Sequence, residues 1–311
     1  MFIEPDEHLI IMDMNHGGGV DLTYDEMCLL RTAGVRTLYY QAAIRWDVMQ
    51  PKDGAPLDWS VVDSFVENAR RAGLKMLIPF VYSIPRWKPD EFFYSREQAG
   101  ELCYGVPNYG SADVTAELDA FMVEVIERYG GEDAQVIYSI PGNGEFALHL
   151  WPRSPKMDYP MNEFVAWVVA RQRILVEQHD EIWTGYHPYT SPEYWEPVYG
   201  ALFSEFPFAR HYGFIFTYVQ HSRPHIKELI HYNQRYGMTY YAGTEYVQGM
   251  AGHVPRLIDG GVRMLTAPKH PFQQYRGIEP WMLETIEKAI AQYEEAQHGT
   301  GLLQSDSPIR A

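Results

Sequence analysis

Two kinds of apolar segment alternate along this chain: short runs rich in β-branched and aromatic residues, and longer stretches in which apolar positions return every three or four residues. Leu9 to Asp13 is a run of the first kind, and Tyr24 to Thr32 carries the helical pattern until Gly34 stops it. Val35 to Ile44 is the next run, followed by Val61, Val62, Phe65, Val66 and Ala69 at helical spacing up to Gly73. Leu74 to Val81 predicts a third strand. After a long loop, Leu118, Phe121, Met122, Val125, Ile126 and Tyr129 share one face of a helix that Gly130 and Gly131 end.

The same rhythm predicts strands over Val136 to Ile140, Ile182 to Tyr186, Phe214 to Val219, Thr239 to Gly243 and Val262 to Thr266. Helices are expected over Glu163 to Gln178, Pro192 to Phe206, Pro224 to Tyr236, Val254 to Ile258 and Glu279 to Glu295. Strand-then-helix alternation implies parallel strands joined by right-handed crossovers, and eight such units are what a closed barrel requires. The expectation is an α/β chain folded as a (β/α)₈ TIM barrel over residues 1–297, with 298–311 as a flexible extension lacking periodicity. A doubly wound open sheet is the alternative. Against it, His16-Gly17-Gly18-Gly19 after the first run lacks the G-x-G-x-x-G spacing, and no Walker sequence occurs.

Composition narrows the function classes. A net charge of -16 repels phosphate backbones and anionic membranes, so nucleic acid is not expected as a partner. No apolar run approaches the roughly 18 to 20 residues that cross a bilayer, so no membrane partner is expected either. Two cysteines, Cys28 and Cys103, make neither a disulfide framework nor a zinc cluster. The stretch Met1 to Glu7 has no basic segment leading into an apolar one, so cytoplasmic residence is the expectation, or secretion if a signal was trimmed. Aromatics make up 14% of the chain, including 23 Tyr and 8 Trp, many near strand ends, where sugars bury their C–H faces on such rings.

In a barrel of this kind, reactive groups follow the C-terminal ends of strands. Ser139-Ile140-Pro141-Gly142-Asn143-Gly144-Glu145 follows the fourth strand, and Ala242-Gly243-Thr244-Glu245 the seventh, so each delivers a glutamate to the same rim. Glycosidic cleavage needs that pair: one carboxylic acid protonates the departing oxygen, and a second carboxylate acts at an oxocarbenium-like anomeric carbon. Asp13, Asn15 and His16 follow the first strand, His187 the fifth, and Lys269 with His270 the eighth, all where sugar hydroxyls are held. Tyr82, Trp87, Trp46 and Trp151 lie on neighbouring loops as candidate stacking platforms, with core packing as the competing role. No H-E-x-x-H, no paired metal-binding histidines after the first strand and no G-x-S-x-G occur, so neither a metal nor any other cofactor is expected.

On these residues the chain resembles the retaining glycoside hydrolases of clan A, with Glu145 at the position of the acid/base and Glu245 at that of the nucleophile. Ile44-Arg45-Trp46-Asp47-Val48-Met49-Gln50-Pro51-Lys52-Asp53-Gly54, then Leu57-Asp58-Trp59, is similar to the stretch found in clan members related to β-galactosidases and β-xylosidases. The resemblance implies that Arg45 orients the nucleophile, that Tyr218 hydrogen-bonds it, and that Asn143 meets the sugar 2-hydroxyl. Gly144 here separates that asparagine from the glutamate. It also implies an oligosaccharide, polysaccharide or glycoconjugate substrate. Three readings remain beside it: an inverting hydrolase, since the stretch Pro141 to Glu145 is similar to the one around the acid of β-amylases, a transglycosylase, and a non-catalytic carbohydrate-binding barrel. Arg45 could instead pair with Asp47 at the surface.

Overall fold

The computed structural model describes residues 10–14, 22–41, 44–81, 84–95, 106–108, 110–138, 160–186, 192–217, 239–244, 262–266 and 278–291, the last without 279, 285 and 289. In chain order the elements are β1 (Ile10–Met14), α1 (Tyr24–Thr32), β2 (Thr37–Gln41), β3 (Ile44–Arg45), α2 (Trp46–Met49), α3 (Ser60–Arg71) and β4 (Lys75–Val81). A short antiparallel ribbon of β5 (Phe93–Ser95) and β6 (Val106–Pro107) follows, then α4 (Ala112–Tyr129) and β7 (Ala134–Tyr138). The second half holds α5 (Met161–Val176), β8 (Glu181–Tyr186), α6 (Pro192–Glu205), β9 (Arg210–Thr217), β10 (Thr239–Thr244) and β11 (Val262–Thr266).

Local chemistry sets several of these boundaries. Thr23 and Glu26 form a reciprocal capping box at α1, the Glu26 amide donating to Thr23 Oγ1 (3.3 Å) and the Thr23 amide to Glu26 Oε2 (2.8 Å). Beyond α1 and α3 the chain turns back through Gly34 (φ +100°) and Gly73 (φ +73°), a conformation that side chains with a Cβ resist. Ser111 caps α4 by accepting from the Val114 amide. Ion pairs run from helix to helix: Asp63 with Arg128 joins α3 to α4, Asp119 with the buried Arg171 joins α4 to α5, and Arg173 with Glu205 joins α5 to α6.

Nine strands form one parallel sheet in the spatial order β7, β4, β2, β1, β11, β10, β9, β8, with β3 continuing beside β4 where β2 leaves off. The run expected as one strand from Val35 to Ile44 is therefore two pieces, β2 and β3, on either side of positions 42 and 43. Taken together they make eight strand positions, in the order the alternation demands.

The register sorts buried residues onto two faces. Leu38, Met76, Ile78, Phe80, Ala134, Val136 and Ile182 belong to the same apolar cluster as the helix residues Leu30, Phe65, Met122, Val168 and Leu202. Ile10, Tyr39, Leu77, Ile137, Trp183 and Tyr212 are just as buried, stand outside that cluster, and lie on the opposite face by register (Tyr39 beside Leu77, Pro79 beside Ile137, Trp183 beside Tyr212). Among the described residues the helix side chains join the cluster on the first face, and the second, here the inner face, is buried apart from that cluster. The Trp183 and Tyr212 rings stack within that inner face, centroids 4.7 Å apart.

Between β7 and β8 the pairing changes in kind. The Gln178 side-chain amide donates to the Val136 carbonyl (3.1 Å) and accepts from the Val136 amide (3.3 Å), while the Gly131 amide donates to the Ala134 carbonyl (2.9 Å). Those backbone groups of β7 are taken, and among the described residues no ladder joins β7 to β8. Residues 292–311, including the expected extension, lie outside the described residues.

Candidate functional site

Because every ladder in the large sheet is parallel, all its strands end on one edge, and the candidate positions lie in or after those strand ends in sequence. Thr244, which directly precedes Glu245, pairs in register with Thr217, which directly precedes Tyr218. Tyr186 ends β8 immediately before His187, and Met14 ends β1 immediately before Asn15. Asp13 sits within β1, paired with Tyr40 of β2. Glu145 and Asn143 follow β7, Tyr82 follows β4, and Lys269 follows β11. Glu145, Glu245, Asn143, Tyr218, Asn15, His187, Tyr82 and Lys269, together with His16, Trp151 and His270, themselves lie outside the described residues.

Arg45 is described, and its placement follows from register. It pairs with Val81 at the end of β4, and Val81 shares its face with Leu77 and hence with Gln135, on the inner side of the sheet. Asp47, in the single turn of α2, meets the guanidinium edge on: Nε donates to Oδ1 (3.1 Å) and Nη2 to Oδ2 (2.6 Å). The two side chains are 7% and 8% exposed, so Arg45 does pair with Asp47, but inside the protein at the C-terminal edge of the sheet rather than at the surface.

Trp46 lies between them in sequence, only 6% exposed. Its ring packs against Phe121 (5.6 Å) and edge-on to Trp87 (6.5 Å), and its N–H donates to the Gln50 side chain (2.8 Å). Trp87 donates its own N–H to the Gln50 carbonyl (2.7 Å). The ammonium of Lys88 sits 4.7 Å from the Trp46 ring, 4.8 Å from Trp87 and 4.6 Å from Phe92, and pairs with Glu117 of α4. Both tryptophans proposed as sugar platforms therefore belong to a packed corner that ties the loop after β4 to α2 and α4. Neither Lys88 and Glu117 nor the packing role of Gln50 is legible in the sequence, because an aromatic cage assembled from three separate segments has no spacing signature.

Among the described residues, no group of three or more His, Cys, Asp or Glu side chains gathers as a metal site would require. Nor, among them, is any helix long and apolar enough to cross a membrane.

No protein-family model and no curated protein matches the chain. Solved structures do. A β-galactosidase from a psychrophilic Marinomonas superposes over 94% of this chain and 60% of its own, with a TM-score of 0.61 at 9% identity. An exo-β-1,4-mannosidase from an Opitutaceae bacterium covers 99% of this chain and 64% of its own (TM-score 0.58, 11% identity). An endo-1,4-β-D-mannanase from Thermotoga petrophila covers 92% and 99% (TM-score 0.51, 11% identity). The likeness is one of fold. This chain spans about three-fifths of the length of the first two of these glycosidases.

Proposed function

We propose that this chain is a retaining glycoside hydrolase of the clan A type, built on a closed (β/α)₈ barrel, with an oligosaccharide, polysaccharide or glycoconjugate as substrate. Glu245 attacks the anomeric carbon and the glycosidic oxygen leaves with a proton from Glu145. Glu145 then takes a proton from water, which displaces Glu245 from the sugar. Arg45 and Tyr218 orient Glu245. Asp13, Asn15, Asn143, His187 and Lys269 meet hydroxyls, and Tyr82 with the half-buried Trp87 meets a ring face. The observation that carries this reading is the parallel sheet edge on which β7 and β10 both end, one strand leading to each glutamate, with Arg45 buried on the inner face of the same edge. The glycosidase folds among its structural neighbours support it.

The test is a panel of aryl β-galactosides, β-mannosides and β-xylosides. Glu245→Ala is expected to abolish turnover of whichever glycoside is cleaved, with azide restoring it as a glycosyl azide of inverted configuration. Undiminished hydrolysis by Glu245→Ala overturns the assignment. An inverting mechanism is the second reading, favoured by the Pro141 to Glu145 stretch. The configuration of the first-formed sugar, followed by NMR, separates the two, since inversion sets the carboxylates roughly 6.5 to 9.5 Å apart and retention about 5 to 5.5 Å.

A further inference from the structure

We propose that Asp47 is a positioning residue for this reaction, holding the Arg45 guanidinium in one orientation at the reactive edge of the sheet. The inference rests on the reading of Arg45 as the group that orients Glu245, and adds to it a residue that fixes Arg45 itself.

A guanidinium carries five N–H donors in fixed directions in one plane. Asp47 engages Nε and Nη2 together, through both carboxylate oxygens. That contact sets the plane of the group, so any further acceptor on the inner face must be met through Nη1 or the second hydrogen of Nη2. The backbone makes the contact possible: Arg45 ends β3 in an extended conformation, and the chain turns at once into α2, which brings the side chain two positions on back beside the one that ends the strand. Trp46 anchors that turn, since its ring is packed against Phe121 and its N–H is held by Gln50.

Burial makes the arrangement specific. Arginine loses much of its rotamer freedom when held in one conformation, and a buried ion pair commonly stabilises a fold no better than apolar residues of the same volume. A bidentate pair that is 7% and 8% exposed at the end of a strand is thus weakly explained by stability and well explained by orientation.

The experiment measures kcat and KM separately, on an aryl glycoside that the wild type cleaves, for Asp47→Asn, Asp47→Glu, Arg45→Met and the double variant Arg45→Met/Asp47→Leu, with a thermal melt of each. Asp47→Asn is expected to lower kcat by on the order of 100-fold, the cost of a displacement of about 1 Å at the reacting centre, with KM nearly unchanged. Asp47→Glu recovers part of that loss but not all, because the added methylene re-aims the same charge. The double variant, with the pair removed whole, is expected to melt close to the wild type yet remain as slow as Arg45→Met.

Wild-type kcat in Asp47→Asn beside a slow Arg45→Met overturns the positioning role and leaves the reading of Arg45 standing. A fully active Arg45→Met, or a wild type that cleaves nothing in the panel, overturns both. If Asp47→Asn unfolds below the assay temperature, Asp47→Glu carries the decision, and a kcat equal to wild type overturns the proposal.

Discussion

Gln178 hydrogen-bonds both the amide and the carbonyl of Val136 through its side chain, so one residue in the turn before β8 supplies what a neighbouring strand supplies elsewhere in the sheet. β7 is the strand that leads to Glu145, and its ladder to β4 is regular from Met76 beside Ala134 to Phe80 beside Tyr138. Its other edge is held by Gln178 and by the Gly131 amide. A Cβ on Gly130 would stand 2.6 Å from the Ile126 carbonyl and 3.1 Å from Gln178 Oε1, so the preceding turn is shaped around that amide.

Gln178→Leu keeps the bulk and removes both bonds, leaving the Val136 amide and carbonyl without them. Each such group costs about 1–3 kcal/mol where water cannot replace the bond. The expected result is a lower urea midpoint and faster hydrogen exchange at the Val136 amide. An unchanged midpoint would show that water or β8 satisfies the edge in its place.

Gly34 is the second point of sensitivity. Its φ of +100° disfavours any residue with a Cβ, and that Cβ would meet Ile290 Cδ1 at 2.9 Å. Gly34→Ala is expected to destabilise the fold by about 1–3 kcal/mol in equilibrium urea unfolding, nearer the upper figure if Ile290 cannot swing away.

His211 gives stability a pH dependence. It lies on the helix side of β9, its Nε2–H donating to the Phe206 carbonyl (3.1 Å) and its ring stacked on Phe203 at 3.9 Å. Burial pushes its pKa below the ordinary 6.5, more strongly than the Phe206 bond raises it. Below about pH 6.5 the unfolded chain therefore binds a proton that the folded chain refuses, so stability falls as pH drops from there to the depressed folded value and is unaffected above it. His179, also lowered chiefly by burial, adds in the same direction. His211→Phe is expected to flatten the loss between pH 7 and pH 5 without abolishing it, measured by urea midpoints at both values.

The proposed acid role of Glu145 has a signature of its own. Glu145→Gln is expected to slow cleavage of glycosides with poor leaving groups by about 10²- to 10⁴-fold, and dinitrophenyl glycosides far less in the bond-breaking step, because those leave without a proton. An equal loss on both would mean that Glu145 does something other than protonate the departing oxygen.

Much of the strand layout was legible in the sequence. Leu74 to Val81 and Ile182 to Tyr186 are β4 and β8 to within one residue at either end, since a strand buried on both faces must be almost wholly apolar. Other boundaries were not. β7 begins at Ala134 and includes Gln135, and β9 begins at Arg210 and His211, although polar residues at these positions read as loop. Backbone pairing with β4 and β8 extends those strands, and the Phe206 carbonyl satisfies the buried imidazole.

The order of the strands and of the described helices between them is legible in the sequence, because hydrophobic period and turn residues are local properties. Whether Arg45 meets Asp47 in water or inside the protein is not local. The pair lies two residues apart in the chain, which is equally compatible with a surface contact, and it is buried only because β3 lies beside the end of β4 and Phe121, Trp87 and Lys88 close over Trp46. Burial of a charge is decided by residues distant in sequence, and those only the folded chain brings together.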